Sequence, residues 1–358
     1  MLLERYLTRE IAKPFFVITS IITTIFISFN WVRYLGRAVE AQLPTGMIFT
    51  LILYKVIIAF EVLLPIALLL SIVLGLGRLH MELEITALAA CGVSPFKIVK
   101  VVFFVALVLS LIVSSLSLVI RPWAYQQSYE MLAKADTGFR LSDLEAGRFY
   151  ERKKDDGSLV IFMKDIDHQG KKIKHVFVQS EKGDKIRVLS AKEAYERPDP
   201  ANQRILPVLV DGYEYKLSRL EGINRISEFK ELTIFPSPKQ SIYSTRKASP
   251  NAKLANSSNP KEIAEFQWRL STGLSTMLLA FLGIPLSRAT PRQGKYAKIF
   301  VAIIAFAIYY NLGAVAMMWV EQGMVHPLMP GIWWVNALLA IILLVTYYPP
   351  RLLQRFRF

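Results

Sequence analysis

The chain has 358 residues, of which 53% are hydrophobic and 20% are charged, and its mean hydropathy is +0.36. This composition is too apolar for an ordinary soluble domain and too charged for a chain made only of membrane helices. It predicts membrane helices combined with one water-exposed domain. The formal net charge of +15 indicates basic cytoplasmic loops and contact with anionic lipid rather than nucleic acid. A single cysteine, Cys91, excludes an intrachain disulfide and a cysteine-based metal site.

Three apolar runs, each long enough to cross a bilayer, come first and cover roughly residues 14–34, 47–79 and 96–120. The charges ahead of the first run do not have the layout of a secretory signal, so this run is expected to remain as a membrane helix. The second run is longer than a bilayer core requires and contains Pro65. It is therefore expected to tilt or protrude and to be kinked.

Residues 81–95, MELEITALAACGVSP, separate the second run from the third. Gly92 is a typical helix terminator, and Ser94-Pro95 has the N-cap and first-turn pattern of a new helix. The segment therefore predicts a separate short helix of about residues 82–91. The pattern alone leaves two roles open: a connector between two spans, or a helix that docks on a cytoplasmic motor through Glu84 and Glu82.

The middle of the chain, from about residue 124 to 260, changes to a period-two pattern that is typical of β-strands. Strands are predicted at residues 158–166, 173–181, 185–196, 204–218 and 227–235. Turn signals, among them Asp211-Gly212, are frequent, which predicts a β-sandwich, jelly roll or open barrel. Residues 249–262, SPNAKLANSSNPKE, are predicted to be a flexible linker.

Three further apolar runs cover roughly residues 268–286, 297–320 and 328–348. The predicted fold is therefore a membrane α-helical protein with an inserted β domain. Membrane helices 1–3 lie in residues 1–123, the β domain and linker in 124–260, and membrane helices 4–6 in 261–358. The distribution of Lys and Arg among the short loops predicts that both termini are cytoplasmic and that the β domain is outside.

Catalytic signatures are absent from the sequence. It contains no phosphate-binding loop, no HExxH zinc motif and no GxSxG nucleophile motif, and its four histidines are scattered. No catalytic residue, metal site or cofactor is predicted. A chain without a nucleotide site but with a cytoplasmic helix suits a permease that a separate ATPase drives.

Three segments resemble those of a known family: RYLTRE (5–10), LGRLHMELEITALAACGVSPFKIVK (76–100) and WRLSTGLSTMLLAFLGIPLSRATPRQGK (268–295). They resemble the lipopolysaccharide export permeases of the LptF/LptG family, and the LptF-type members more closely. The resemblance implies a non-catalytic subunit of an ABC transporter in the bacterial inner membrane. Its partners would be an LptG-type permease, an LptB-type ATPase dimer and an LptC-type bitopic protein.

The resemblance also implies how such a subunit works. It would extract lipopolysaccharide from the outer leaflet of the inner membrane, with the first and fifth spans as lateral gates. A periplasmic jelly roll would pass the lipid on, and the segment at about residues 82–91 would be the coupling helix. The implied ATPase-coupling residues are Glu82, Glu84 and Leu88.

A lipopolysaccharide site needs cations at headgroup level above an apolar wall, because the lipid carries phosphates and several acyl chains. Arg33 matches a basic position of the family, and Asn30 stands where the family would carry a lysine, which Lys55 is expected to compensate. The candidate lipid-binding residues are Arg33, Arg37, Asn30, Lys55, Phe26, Phe306 and Tyr310. The simpler alternatives are arginines that only reach the membrane interface and aromatic rings that only pack.

Lys55 and Glu61 are six residues apart and lie on different faces of the predicted second helix. We therefore expect each to face a cavity or to pair with another helix. Two alternative functions stay open. One is the paralogous LptG-type subunit, and the other is an envelope scaffold that transports nothing, against which the PRQG loop and the helix stop at Gly92 argue.

Overall fold

The structure is a computed structural model, and it describes residues 2–39, 45–137, 147, 149–154, 157–166, 172–183, 185–199, 204–218, 222–233, 245–288, 295–326 and 331–347. The chain divides into two compact units, which are considered separately. The helical unit comprises Met1–Val32, Phe49–Tyr129 and Tyr243–Phe358, and the β unit comprises Arg33–Ile48 and Glu130–Ile242.

The helices follow the predicted apolar runs and extend them at most ends. In chain order they are α1 (Leu2–Val39), α2 (Thr45–Met81), α3 (Glu84–Ala90), α4 (Pro95–Ser115), a π-helical turn (Leu116–Ile120), α5 (Arg121–Thr137), α6 (Thr245–Ala248), α7 (Asn251–Ala255), α8 (Pro260–Ser287), α9 (Lys295–Glu321) and α10 (Trp333–Tyr347).

Five helices of the described residues are long and apolar enough to cross a membrane: α1, α2, the continuous α4–α5 helix, α8 and α9. These correspond to five of the six predicted spans. The sixth, α10, has 15 described residues, whereas a span needs about 20. The prediction of six spans is therefore confirmed for five.

The third span does not end at Ile120, so the predicted start of the β domain at residue 124 is wrong. The chain stays helical to Thr137 through the π-helical turn. That turn ends two residues before Pro122, whose missing N–H and bulky ring disturb the α-helical hydrogen-bond pattern of the preceding residues. The wider turn accommodates the proline without ending the helix.

The linker predicted for residues 249–262 is also wrong, because this segment folds as α7 and the start of α8, directly after α6. Leu254 is buried. Asn259 caps α8 by accepting a hydrogen bond from the backbone N–H of Lys261, and Pro260 occupies the first turn. The Ser, Asn and Pro residues that suggested flexibility instead form caps and turns.

Helix α8 lies at the centre of the helical unit and packs against α4, α9 and α10. Gly273 permits close packing on α4, and Gly283 permits close packing on α2. A Cβ atom at Gly273 would lie 2.0 Å from Ser114 Oγ, and one at Gly283 would lie 2.8 Å from Ile72 Cγ2. Small residues at such crossings let membrane helices approach closely.

The β unit contains one antiparallel sheet whose described strands follow the order β1-β2-β3-β4-β5-β6. The strands are β1 (Phe149–Lys154), β2 (Gly157–Ile166), β3 (Lys172–Lys182), β4 (Lys185–Asp199), β5 (Arg204–Ser218) and β6 (Gly222–Thr233). The five predicted strands are confirmed as β2 to β6. The polar β1, FYERKK, was missed because it lacks the period-two apolar pattern.

The described strands form a meander, in which each strand pairs with its neighbour in sequence. A jelly roll requires Greek-key crossovers, so the jelly roll expected for this domain is not confirmed. The turn predicted at Asp211-Gly212 is wrong. Asp211 has φ 50° and lies between the paired residues Val210 and Gly212 inside β5. The signal marks a local irregularity of the strand.

Candidate functional site

The helical unit carries two clusters of polar and charged side chains. The first, called the α3 cluster, consists of Tyr6, Glu10, Arg78, Glu82 and Glu84. The second, called the buried ion network, consists of Glu61, Arg121, Glu265 and Arg269. Glu61 of the buried ion network is roughly 20 residues from the end of α2, where the α3 cluster lies. That length of helix is about 30 Å, which is the thickness of a bilayer core.

Helix α3 is separated from α2 by Leu83, which adopts the left-handed conformation with φ 58°. The short helix therefore begins at Glu84 and ends at Ala90, so the range of about 82–91 expected from the sequence was too long. Glu82 lies in the turn before it. At the other end Gly92 has φ 82°, and the Ser94 side chain caps α4 by accepting from the Phe96 N–H, both as predicted.

The two acidic side chains at the start of α3 are held by neighbouring helices. The Tyr6 hydroxyl of α1 donates to Glu84 Oε2 at 2.8 Å. Arg78 of α2 pairs with Glu82, with 2.9 Å between Nε and Oε1. The same guanidinium reaches Glu10 of α1, with 3.3 Å between Nη1 and Oε2. Three elements therefore meet at the α3 cluster.

One face of α3 is open in the structure, since none of its residues is fully buried. Ile85 packs against the apolar core formed by α1, α2 and α4. Leu88 is half-buried, whereas Thr86, Ala87, Ala89 and Ala90 are exposed. The helix thus presents a surface of small side chains beside Glu84.

The buried ion network joins α2, α5 and α8. Arg121 Nε lies 3.0 Å from Glu61 Oε2, and Arg121 Nη2 lies 3.3 Å from Glu265 Oε1. Glu265 also pairs with Arg269 one turn later, at 3.1 Å. Ser117 of the π-helical turn donates to Glu61 at 2.8 Å. Two carboxylates and two guanidinium groups balance their formal charges in this interior.

Arg269 is fully buried and explains why the supposed linker is folded. Its Nη1 donates to the carbonyl of Ser249 at 3.0 Å and to Asn251 Oδ1 at 2.7 Å. Its Nη2 donates to the carbonyls of Arg246 and Lys247, at 3.2 and 3.0 Å. One guanidinium therefore ties α6 and α7 to α8, and the five donors of an arginine suit this arrangement.

A cavity of about 50 Å³ lies beside the buried ion network. Glu61 lines it, together with Phe306 and Tyr310 of α9, whose rings stack with their centroids 6.0 Å apart. Trp268 meets the Tyr310 ring edge-on at 5.6 Å. Phe306 and Tyr310, both predicted lipid-site residues, are thus brought together.

The candidate side chains of α1 that the structure describes are not among the residues lining this cavity. Asn30 is buried and donates to the carbonyl of Phe26 at 2.8 Å. Phe26 is half-buried and Arg33 is exposed. The Arg37 side chain lies outside the described residues. Lys55 of α2 lies with its Nζ 5.6 Å from the centroid of the Tyr125 ring.

The expectation that Glu61 faces a cavity or pairs with another helix is confirmed on both counts, because it lines the cavity and binds Arg121. The sequence reasoning missed Arg121, Glu265 and Arg269. The signal that was present is the spacing of Glu265 and Arg269, an i,i+4 ion pair at the start of an apolar helix. Among the residues that the structure describes, no group of three or more metal-binding side chains occurs.

Long apolar helices, an inserted antiparallel sheet and ion pairs buried between the helices define a multi-pass membrane protein with a separate β unit. The model of the family described as "Lipopolysaccharide export system permease LptF/LptG" matches residues 5–349, and the chain belongs to this family. The resemblance inferred from three sequence segments is thereby confirmed.

Curated relatives agree with this assignment. The chain is 27% identical over 322 residues to the lipopolysaccharide export system permease protein LptF of Escherichia coli strain K12, covering 87% of this chain and 85% of the relative. The protein of the same name from Shigella flexneri gives the same values. The chain is thus a lipopolysaccharide export permease, a multi-pass protein of the inner membrane.

Proposed function

We propose that the chain is the LptF-type subunit of an ATP-driven transporter that extracts lipopolysaccharide from the outer leaflet of the inner membrane. Its partners are an LptG-type permease, an LptB-type ATPase dimer and an LptC-type bitopic protein. The observation that carries this proposal is α3, a short helix between two membrane helices with an open face and an ordered glutamate. The family supports the substrate, and similarity to LptF proteins supports the subunit type.

The proposed orientation follows the basic loops. Both termini and α3 lie in the cytoplasm, the β unit lies in the periplasm, and α10 completes six spans. The β unit receives the lipid and passes it to the LptC-type partner. In this orientation the α3 cluster is at the cytoplasmic end of α2, and the buried ion network is toward the periplasmic end.

Helix α3 is the proposed coupling helix. Its small exposed side chains allow close approach of a docking groove, and Glu84 supplies an anion for a cationic group of the ATPase. A charge-assisted hydrogen bond is stronger than a neutral one and gives the contact its direction. Glu82 and Leu88 flank this contact in the turn and on the half-buried face of α3.

The test replaces Glu84 by alanine in the reconstituted complex. We expect Glu84→Ala to insert normally but to lower ATP-driven release of lipopolysaccharide from proteoliposomes about tenfold or more, the effect of losing a charged hydrogen bond. Glu262→Ala, at the first turn of α8, is the control for loss of a glutamate and should keep full release. Full coupled release by Glu84→Ala would refute the docking role, and failure of any ATPase to copurify would favour a scaffold without transport.

The proposed lipid site lies along α1 and α9. Helix α1 presents an open apolar face before Arg33, with Phe29 68% exposed. An apolar face followed by a cation matches a lipid whose acyl chains are followed by a phosphate. Lys55 adds a second cation, and Arg37 and Asn30 complete the headgroup end. Tyr310 is 37% exposed and forms the surface of the wall, whereas Phe306 is buried behind it. Phe26 contributes to the apolar wall on α1.

Charge reversal tests the headgroup contact. We expect Arg33→Glu to reduce photocrosslinking of lipopolysaccharide to a probe on α1, because the lipid phosphates would meet a like charge. Arg9→Glu, an exposed arginine at the other end of the same helix, should leave crosslinking unchanged. Equal crosslinking in the two variants would remove Arg33 from the site while leaving the coupling role of α3 intact.

A further inference from the structure

The base of α1, residues Tyr6–Phe15, is firmly attached to the rest of the helical unit. Leu7, Ile11 and Phe15 are buried in a core shared with α2 and α4. Backbones approach closely here, since a Cβ atom at Gly75 of α2 would lie 2.6 Å from the Glu10 carbonyl oxygen. The base of α1 cannot shift against α2 without disturbing this contact.

The middle of α1, from Phe16 to Phe29, is much less closely packed. Phe16 is 69% exposed, and the apolar side chains that follow it, Ile21, Ile25 and Phe29, are exposed as well. The helix is continuous over this whole length. From Tyr6 to Asn30 it covers about 36 Å. Asn30 and Tyr34 are buried again near the far end, so α1 is a single long element whose base is tightly packed and whose middle is exposed.

The base of α1 is linked to both acidic residues at the start of α3, directly to Glu84 and through Arg78 to Glu82. Tyr6 binds Glu84 directly, and Glu10 is linked to Glu82 through the shared guanidinium of Arg78. The apolar side of α3 joins the same assembly, because Ile85 packs on the core that contains Leu7 and Ile11. Polar and apolar contacts thus connect the same two elements.

The hydrogen bond from Tyr6 leaves Glu84 able to bind a second partner at the same time. A carboxylate accepts several hydrogen bonds, so one bond from the Tyr6 hydroxyl orients the Glu84 side chain and leaves acceptor capacity for a donor on another protein. The tyrosine ring is partly exposed, which places this arrangement at the surface that α3 presents.

We propose that Tyr6 is a positioning residue for the coupling contact, and that it ties the α1 base to Glu84 so that α1 and the coupling helix move together. This inference rests on the proposed docking role of α3. It makes α1, which carries Arg33, the element through which lipid binding and ATPase docking affect each other. A purely structural hydrogen bond would stabilise the fold without changing coupling.

The test uses Tyr6→Phe in the complete complex with its permease partner and ATPase dimer, in proteoliposomes that contain lipopolysaccharide. The ratio of lipid released to ATP hydrolysed is measured per assembled complex. Losing one hydrogen bond of ordinary strength should lower this ratio about threefold to tenfold while ATP hydrolysis continues. A merely structural role would reduce the amount of complex but would leave the ratio unchanged, and that result overturns the proposal.

Thr8→Val provides the matched control, because the Thr8 hydroxyl donates only to the Glu4 carbonyl of its own helix, at 2.8 Å. It removes a hydroxyl from the same turn of α1 and should keep the wild-type ratio. A ratio that falls equally in Thr8→Val would show a general effect of the α1 base and would overturn the specific role of Tyr6.

A double variant separates this inference from the docking role. If Tyr6 acts through Glu84, Tyr6→Phe combined with Glu84→Ala should be no worse than Glu84→Ala alone. If the two substitutions lower the ratio independently, so that their fold-losses multiply in the double variant, the link between the two residues is overturned. If Glu84→Ala keeps full coupling, the docking role itself fails. If Glu84→Ala loses coupling and Tyr6→Phe does not, only the positioning role fails.

Discussion

The two polar clusters of the helical unit use the same chemical groups under opposite conditions. In the α3 cluster the side chains of Arg78 and Glu82 are 51% and 45% exposed. In the buried ion network the side chains of Glu265 and Arg269 are 0% exposed. Water and salt screen the first pair, whereas the second pair is isolated from both. The difference indicates a rearrangeable end and a fixed end of the same helical unit.

The fixed end is held mainly by the hydrogen bonds of Arg269. Every described donor contact of Arg269 goes to a carbonyl, an amide oxygen or a carboxylate of α6, α7 or α8 and the turn between them. Withdrawing charges from water is costly, so removing one partner from such a network leaves a large penalty. The exposed pair of Arg78 and Glu82 carries no such penalty, because water replaces the contact when it opens.

The largest expected effect comes from Arg269→Met, which keeps a long side chain but removes the guanidinium. Glu265 loses a partner, and the carbonyls that bind α6 and α7 lose theirs. We expect a loss of about 3–5 kcal/mol in the free energy of unfolding, measured by tryptophan fluorescence during titration of the detergent-solubilised protein with dodecyl sulfate. Arg288→Met, at the exposed end of the same helix, should change little, and equal losses would contradict the comparison.

An intermediate effect is expected for Gly75→Ala at the crossing of α1 and α2. The new methyl group would overlap the Glu10 carbonyl oxygen, so α1 must shift, at a cost of about 1–3 kcal/mol by the same unfolding assay. Gly77→Ala is the matched control on the same helix. Its methyl group would find its nearest neighbour at 3.6 Å, and it should be neutral or slightly stabilising. If both variants are destabilised, the cause is a change in the flexibility of α2 rather than the close crossing of α1 and α2.

The smallest effect is expected for Arg78→Gln, which removes the exposed ion pair with Glu82 and the contact with the buried Glu10, near which Lys13 remains at 3.8 Å. The unfolding free energy should fall by less than about 1 kcal/mol. Added salt should reduce the difference from the wild type further, because it screens exposed pairs. A loss as large as that of Arg269→Met would show that exposure does not distinguish the two clusters.

The apolar runs and the strands were predictable because their patterns are local. Five membrane helices and β2 to β6 follow directly from hydropathy and from period-two alternation. The turn before α4 was equally predictable. Gly92 adopts positive φ after α3, Ser94 caps α4, and Pro95 occupies its first turn. Each of these features depends on a few adjacent residues.

The features that were missed depend on residues far apart in sequence. The folding of residues 249–262 requires Arg269, whose donors capture carbonyls about 20 residues earlier. In the continuous α4–α5 helix, Arg121 pairs with Glu61 of α2, which is 60 positions away. The link between Tyr6 and Glu84 joins residues that are 78 positions apart. A single sequence carries no local pattern for such pairs.

The end of α3 has a practical consequence for experiments on this protein. Cys91, which caps α3, is exposed, and it is the single cysteine of the chain. A maleimide dye therefore labels the native sequence at one known position, without a cysteine-free background or an introduced thiol. Because the dye is attached beside the open face of α3, its fluorescence reports whether that face is covered by a partner or exposed to solvent. The wild-type protein can therefore be used to follow docking directly.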